Sequence, residues 1–359
     1  MTTTSTALDF AAALFAAAGG DAGTNFVCSP WSVATALSAL AHGTDAAARE
    51  EIIAAVGPVN ALRDTARLVA EAPQSADSVL AVANRLWVDE HAMPDPRFAS
   101  SLAAWPGAAV LQAPIGRDPE AARVAINGDV ASTTRDLIPE ILAPGMLQGA
   151  RAVLVNALYL LAGWLHPFNP EATAPEPFRS PGGDREVPMM RARLEAPYAR
   201  SPGGEYVSLH LGLGLGLAAE VLLPPPGPLT VTGAAIAAAR KAATAHHVQL
   251  RLPRVRVEGR AGLEGPLADL GVRRIFDPGA SAVTGVVDEP LYVSDAVHQA
   301  VLHMDEVGIE AAAATAMLML RAAHRPLPAV EMLVDRPFWL LVTHRATGSV
   351  LFMARVVDP

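Results

Sequence analysis

The residues able to do chemistry in this chain are few, and their spacing excludes more than it offers. His246 and His247 are adjacent, so on a strand they point to opposite faces and cannot grip one metal together. His298 and His303 are five apart and likewise face opposite sides of a strand. The GxSxG and HExxH patterns are absent and no carboxylate pair stands out, so hydrolase chemistry has no constellation behind it. The glycines Gly212, Gly214 and Gly216 have neither dinucleotide-fingerprint nor P-loop spacing, which argues against a phosphate site. No metal site and no cofactor is expected, and the chain does not read as an enzyme. What remains is one polar side chain, Asn156, in an apolar run, and an unusual segment from Met304 to Ala323.

That segment, MDEVGIEAAAATAMLMLRAA, is ambiguous by design of its composition. Four successive alanines beside Met and Leu favour a helix. At period two, however, Ile309, Ala311, Ala313, Thr315, Met317 and Met319 share one face, while Glu310, Ala312, Ala314, Ala316, Leu318 and Leu320 share the other. Glu310 is the only charge between Ile309 and Leu320. Such a stretch fits a helix, a loop or a strand slotted between other strands. It is a candidate switch.

The whole chain sets the frame. Its 359 residues allow two domains or one large one, and an apolar share of 51% suffices for a large core. A net charge of −9 argues against nucleic acid as a partner. The single cysteine, Cys28, excludes an internal disulfide and reads as a small buried hydrophobe. The N-terminal apolar run has no basic residues before it, and no stretch is long and apolar enough to span a membrane. A soluble, cytoplasmic monomer is expected, with unconventional release left open.

Several elements must position the segment. Phe10, Leu14 and Phe15 line one side of a first helix closed by Gly19-Gly20. Ser29-Pro30 starts a second helix, carried by Val33, Leu37 and Leu40 and ended by Gly43. A strand is expected over 78–88 and a long helix from Asp118 to about Ile138. Ala152 to Leu160 reads as a strand buried on both faces, in which Asn156 demands a polar network. Residues 205–225 read as two strands loosened by the glycine run, and 248–257 as one strand in which Pro253 implies an edge or a bulge. A short helix is expected within 261–276, then a strand holding Tyr292, Val293, Ser294 and His298.

Taken together, these motifs resemble the serpin family, and the resemblance runs from the first helix to Pro359. DEVGIEAAAATA is similar to the serpin hinge, and Asp335-Arg336-Pro337-Phe338 with Gly348-Ser349-Val350-Leu351-Phe352 is similar to the family's tail. Asn84-Arg85-Leu86-Trp87, Ile126-Asn127 and Thr133-Thr134 also match, as do Gly163, Trp164, Phe168, Thr173, Phe178, Val187, Met189 and Met190. The glycine expected after Thr134 is missing, and Gly212–Gly216 departs from the bulkier residues usual there. The arginine-dominated basic residues reflect genome composition, and the match is to an inhibitory type, of bacterial kind.

The resemblance implies one α+β domain over 1–359, with three sheets, about nine helices and an exposed reactive-centre loop over about 306–328. It implies an irreversible suicide inhibitor. A serine protease cleaves the loop, and the hinge (Glu306, Gly308, Ile309, Glu310, Ala311, Ala312, Ala313, Ala314 and Thr315) then enters the central sheet and traps the acyl-enzyme. Fourteen inserted residues span about 45 Å. The attacked carbonyl falls on Ala322, before Ala323, which suits elastase-like or subtilisin-like targets. A loop one residue shorter puts it on Arg321, before Ala322, for trypsin-like ones. Ile309 stands where Thr or Ser is usual, and its bulk is expected to slow insertion slightly. Ser29, Pro30, Ser32, Asn156 and His298 match the shutter beneath the sheet. The alternative is a non-inhibitory serpin acting as a protease substrate or a chaperone-like binder.

Overall fold

The computed structural model describes residues 3–57, 59–72, 78–105, 107–212, 214–309 and 328–359. In chain order the first elements are α1 (Thr3–Ala18), β1 (Phe26–Cys28), α2 (Pro30–Leu40), α3 (Ala46–Val56), α4 (Val59–Glu71) and β2 (Ser78–Asp89). There follow α5 (Pro96–Ser101), β3 (Ala108–Ala113), α6 (Pro119–Thr133), β4 (Ala152–Gly163), β5 (Ala174–Ser180) and β6 (Gly183–Ser201). Next come β7 (Gly204–Leu211), β8 (Leu217–Leu223), α7 (Gly233–Ala242), β9 (Thr244–Pro253), β10 (Val255–Gly262) and α8 (Glu264–Asp269). The chain closes with β11 (Asp295–Met304), β12 (Gly308–Ile309), β13 (Ala329–Leu333), β14 (Phe338–His344) and β15 (Val350–Val356).

The strands form a six-stranded sheet, ordered β10-β11-β12-β4-β2-β3, and a nine-stranded one, ordered β1-β15-β14-β8-β7-β6-β9-β13 with β5 on β6. The architecture is the expected α+β one, with eight α-helices among the described residues. Two of the three expected sheets are hydrogen-bonded into one, because the 19-residue β6 pairs with β5 at one end and with β7 at the other.

Helix α2 is the buried pivot between the sheets. Ser29 caps it by accepting the Ser32 N–H at 3.2 Å, and Pro30 occupies its first turn, where a missing N–H costs nothing. All eleven of its residues are buried, so tertiary packing rather than one amphipathic stripe holds it. Strand β4 is buried on both faces along nearly its whole length, as its apolar run requires. Cys28 is buried, and burial pushes its thiol pKa up.

Four further expectations are corrected. Helix α6 stops at Thr133 rather than near Ile138, because Arg135 and Asp136 turn to positive φ (51° and 62°). There the Thr134 hydroxyl donates to the Val130 carbonyl and accepts the Ile138 N–H. The expected strand over 248–257 is two strands in different sheets. Pro253 ends β9 and Arg254 carries the chain into β10, so the proline marks a change of sheet. Gly212, Gly214 and Gly216 lie between β7 and β8 at φ of 45°, 111° and 64°, so they turn the hairpin instead of loosening its strands. Tyr292, Val293 and Ser294 precede β11, which starts at Asp295.

Candidate functional site: a slot in the six-stranded sheet

The central strands β4 and β11 run parallel, but they pair over only part of their length, from Asp295↔Val153 to Ala300↔Leu158. Beyond Ala300 they diverge and β12 fills the opening. Ile309 is in register with Met304 of β11 on one side and Ala162 of β4 on the other. Its side chain is 1% exposed and belongs to the main core. Gly308 needs to be glycine here, since a Cβ would lie 2.3 Å from the Ala162 carbonyl oxygen. Gly308 and Ile309 therefore lie inside the sheet, and Glu306 just before them is buried.

The turn into β12 is tied down on every side. Asp305 Oδ1 accepts the Val307 and Gly308 N–H groups at 2.9 and 3.2 Å, and the Asp305 N–H donates to the Gly308 carbonyl at 2.9 Å. Trp164 Nε1 donates to the Asp305 carbonyl at 2.7 Å, and the Phe168 N–H donates to the Glu306 carbonyl at 2.9 Å. The buried Glu306 carboxylate accepts both Arg254 Nε (3.0 Å to each oxygen) and Arg254 Nη2 (2.9 Å), and it also takes the Thr173 hydroxyl. Burial works to raise its pKa, but Arg254 and Thr173 outweigh that and hold it below the usual carboxylate range.

Deeper in the sheet, where β4 and β11 do pair, lies a closed polar network. His298 stands opposite Asn156 in the parallel register. Its Nδ1–H donates to Asn156 Oδ1 at 2.6 Å, while Nε2 accepts the Ser29 backbone N–H at 2.9 Å. That pair of contacts fixes the neutral tautomer, because a second ring proton would point at the Ser29 N–H. Burial pushes the imidazole down to about 4, against the hydrogen bond to Asn156, which pulls the other way. The Asn156 amide donates to Ser32 Oγ at 2.6 Å and to Asn84 Oδ1. Asn84 Nδ2 in turn donates to Thr35 Oγ1 at 3.2 Å.

The structure thus brings together Ser29, Ser32, Asn156 and His298, and it seats Pro30 beside them at the start of α2. Asn84, matched in the sequence only as part of a strand motif, and Thr35, not singled out at all, complete the network. The signal available was a lone amide in an apolar strand, the same cue that marks Asn156. Glu306, Gly308 and Ile309 are described, whereas Glu310, Ala311, Ala312, Ala313, Ala314, Thr315, Arg321, Ala322 and Ala323 lie outside the described residues. His246 bonds the Thr244 carbonyl and packs on Tyr198. Among the described residues no group of three or more His, Cys, Asp or Glu side chains could hold a metal ion, and no helix is long and apolar enough to cross a membrane.

Comparison with known proteins agrees with this geometry. Residues 5–359 match the family model for "Serpin (serine protease inhibitor)". The chain is 31% identical to a putative serpin-Z12 of Oryza sativa subsp. japonica, over 96% of this chain and 88% of that one. It is also 31% identical to a leukocyte elastase inhibitor of Sus scrofa, over 93% of each chain. Among solved structures, uncleaved ovalbumin superposes with a TM-score of 0.86 at 22% identity, over 100% of both chains. A family match over nearly the whole length, with the fold to go with it, makes this chain a member of the serpin family.

Proposed function

We propose that this chain is an irreversible inhibitor of serine proteases that works by inserting its own cleaved loop into the six-stranded sheet. The observation that carries the reading is the half-filled slot: β12 already pairs with both β4 and β11. If the strand grows in that register, 311 comes beside Leu302 and Leu160, 313 beside Ala300 and Leu158, and Thr315 beside His298 and Asn156. Positions 310–312 then enter where β4 and β11 are unpaired, and 313–318 replace the six existing pairs. Alanines at 311 and 313 suit the buried face, and no proline interrupts the chain from the hinge to Pro326.

In this reading the His298–Asn156–Ser32 network is the latch that keeps β4 and β11 closed until the strand arrives. The two strands must part at that level, so its hydrogen bonds have to be exchanged for contacts with the incoming segment. The leukocyte elastase inhibitor at 31% identity supports an inhibitory role. Ala322 as the attacked residue supports elastase-like or subtilisin-like targets, and Arg321 supports trypsin-like ones.

A denaturing gel after incubation with pancreatic elastase, subtilisin or trypsin tests the proposal, together with mass spectrometry of the released C-terminal peptide. A denaturation-resistant complex with a peptide starting at Ala323 or Ala322 is expected. Cleaved protein with no complex would place the chain with substrate-type or binding serpins instead.

A further inference from the structure

The outer face of the nine-stranded sheet beside β13 takes no part in strand insertion, yet it is both hollowed and charged. There β6, β9 and β13 lie side by side, and their registers put Arg191, Arg251 and Leu333 in one row. Arg193, Gln249 and Glu331 form the next row, and Glu195, His247 and Ala329 the third. The residues between them, Val248, Leu250 and Met332, belong to the main core, so the rows point outward. Two adjoining hollows of about 400 and 670 Å³ open on this face, and Arg191, Arg193 and Gln249 line both.

The charges on the face are uneven. Glu176 of β5, only 13% exposed, takes Arg191 Nη2 at 2.7 Å and Arg251 Nη1 at 3.2 Å. Among the described residues no carboxylate pairs with Arg193. One carboxylate thus serves three guanidinium groups at this end, while Glu331 and Glu195 stand toward Ala329. On a chain of net charge −9 this positive end runs against the general trend. The Glu176 contacts also hold Arg191 and Arg251 in place, which leaves a partner less side-chain freedom to remove.

We propose that the arginine end of this face is a docking surface for an acidic surface segment of the target protease. This rests on the protease-inhibitor reading above and adds the kind of protease that the chain meets best. Position carries the argument. β13 directly follows the reactive loop, and the His247 N–H donates to the Pro328 carbonyl at 2.9 Å. The row of Arg191 and Arg251 lies about 13 Å from Ala329 at strand spacing, so a protease holding the loop overlies all three rows. Its carboxylates meet Arg193, a guanidinium with no ion pair to break, in a geometry that suits bidentate contact. Such charges act mainly on the rate of encounter.

Anionic and cationic trypsin share a preference for arginine and differ in surface charge, and the loop offers Arg321 to both. The test follows loop cleavage of the full-length protein by each enzyme, read by mass spectrometry as release of the peptide starting at Ala322. Arg193→Glu should slow anionic trypsin about three- to tenfold at low salt and should not slow cationic trypsin. Gln249→Lys, which extends the cationic row, should speed anionic trypsin, and about 0.5 M salt should remove both effects. Both positions are exposed, so the uncleaved variants should melt with the wild type. Equal slowing of the two enzymes, or no response to either variant, would overturn the docking surface. So would dextran sulfate binding that Arg193→Glu abolishes while the cleavage rates stay unchanged, which would assign the face to a polyanion. The rates are read whether or not a covalent complex forms, so charge-dependent cleavage without trapping would sink the inhibitory reading alone.

Discussion

His298 and Asn156 are 142 residues apart, yet they face each other across β11 and β4 with Nδ1 and Oδ1 2.6 Å apart. The contact is made by a neutral ring. Protonation below the unfolded pKa therefore favours the unfolded chain, whereas above it both states are neutral and the native network is at full strength. Stability should be complete above about pH 6.5 and decline as the pH falls toward about 4. The loss should approach roughly 3 kcal/mol. Urea midpoints at pH 7.5 and pH 5 measure it, and His298→Gln should remove most of the difference between them.

Asn156→Ala strips the network of its centre. The His298 Nδ1–H, Ser32 Oγ and Asn84 Oδ1 would each lose a buried partner. We expect a destabilisation of about 2–4 kcal/mol. Chemical denaturation should show a lower midpoint with an unchanged slope.

Glu306→Lys should release the hinge. The substitution removes the acceptor of Thr173 and Arg254 and places a cation beside Arg254 in a site where Glu306 is only 4% exposed. Arg254 is 48% exposed and can turn to water, so the cost is set mainly by the buried lysine, at about 2–4 kcal/mol. Thermal melting should drop, and proteolysis of the loop should quicken. Equal rates and an equal melt would show that the tether is dispensable.

Two substitutions probe entry of the strand directly. Ala311→Arg would bring a charge to the buried face beside Leu302 and Leu160, and Ala313→Pro would remove a ladder donor beside Ala300 and Leu158. Each should lower the yield of covalent complex at least severalfold while the loop is still cleaved. Full yield from either variant, read by densitometry of the gel, would contradict insertion in this register.

The sequence alone determined what neighbours along the chain can specify. The Ser29 cap and Pro30 start α2, the unbroken apolar run makes β4, and the period-two pattern after Ile309 marks a segment able to become a strand. Matches spread over the whole length fixed the family. Tertiary structure decided whatever depends on partners far apart in sequence. Pro253 ends a strand because β9 and β10 belong to different sheets, and Asn84 joins the polar network only because β2 lies in register with β4. Arg254 meets Glu306 across a separation of 52 residues. Ile309, read from sequence as a slight hindrance to insertion, is already seated between β4 and β11. Caps and periodicity are local and can be read one residue at a time. Strand register is non-local, and only the folded sheet fixes which side chains meet.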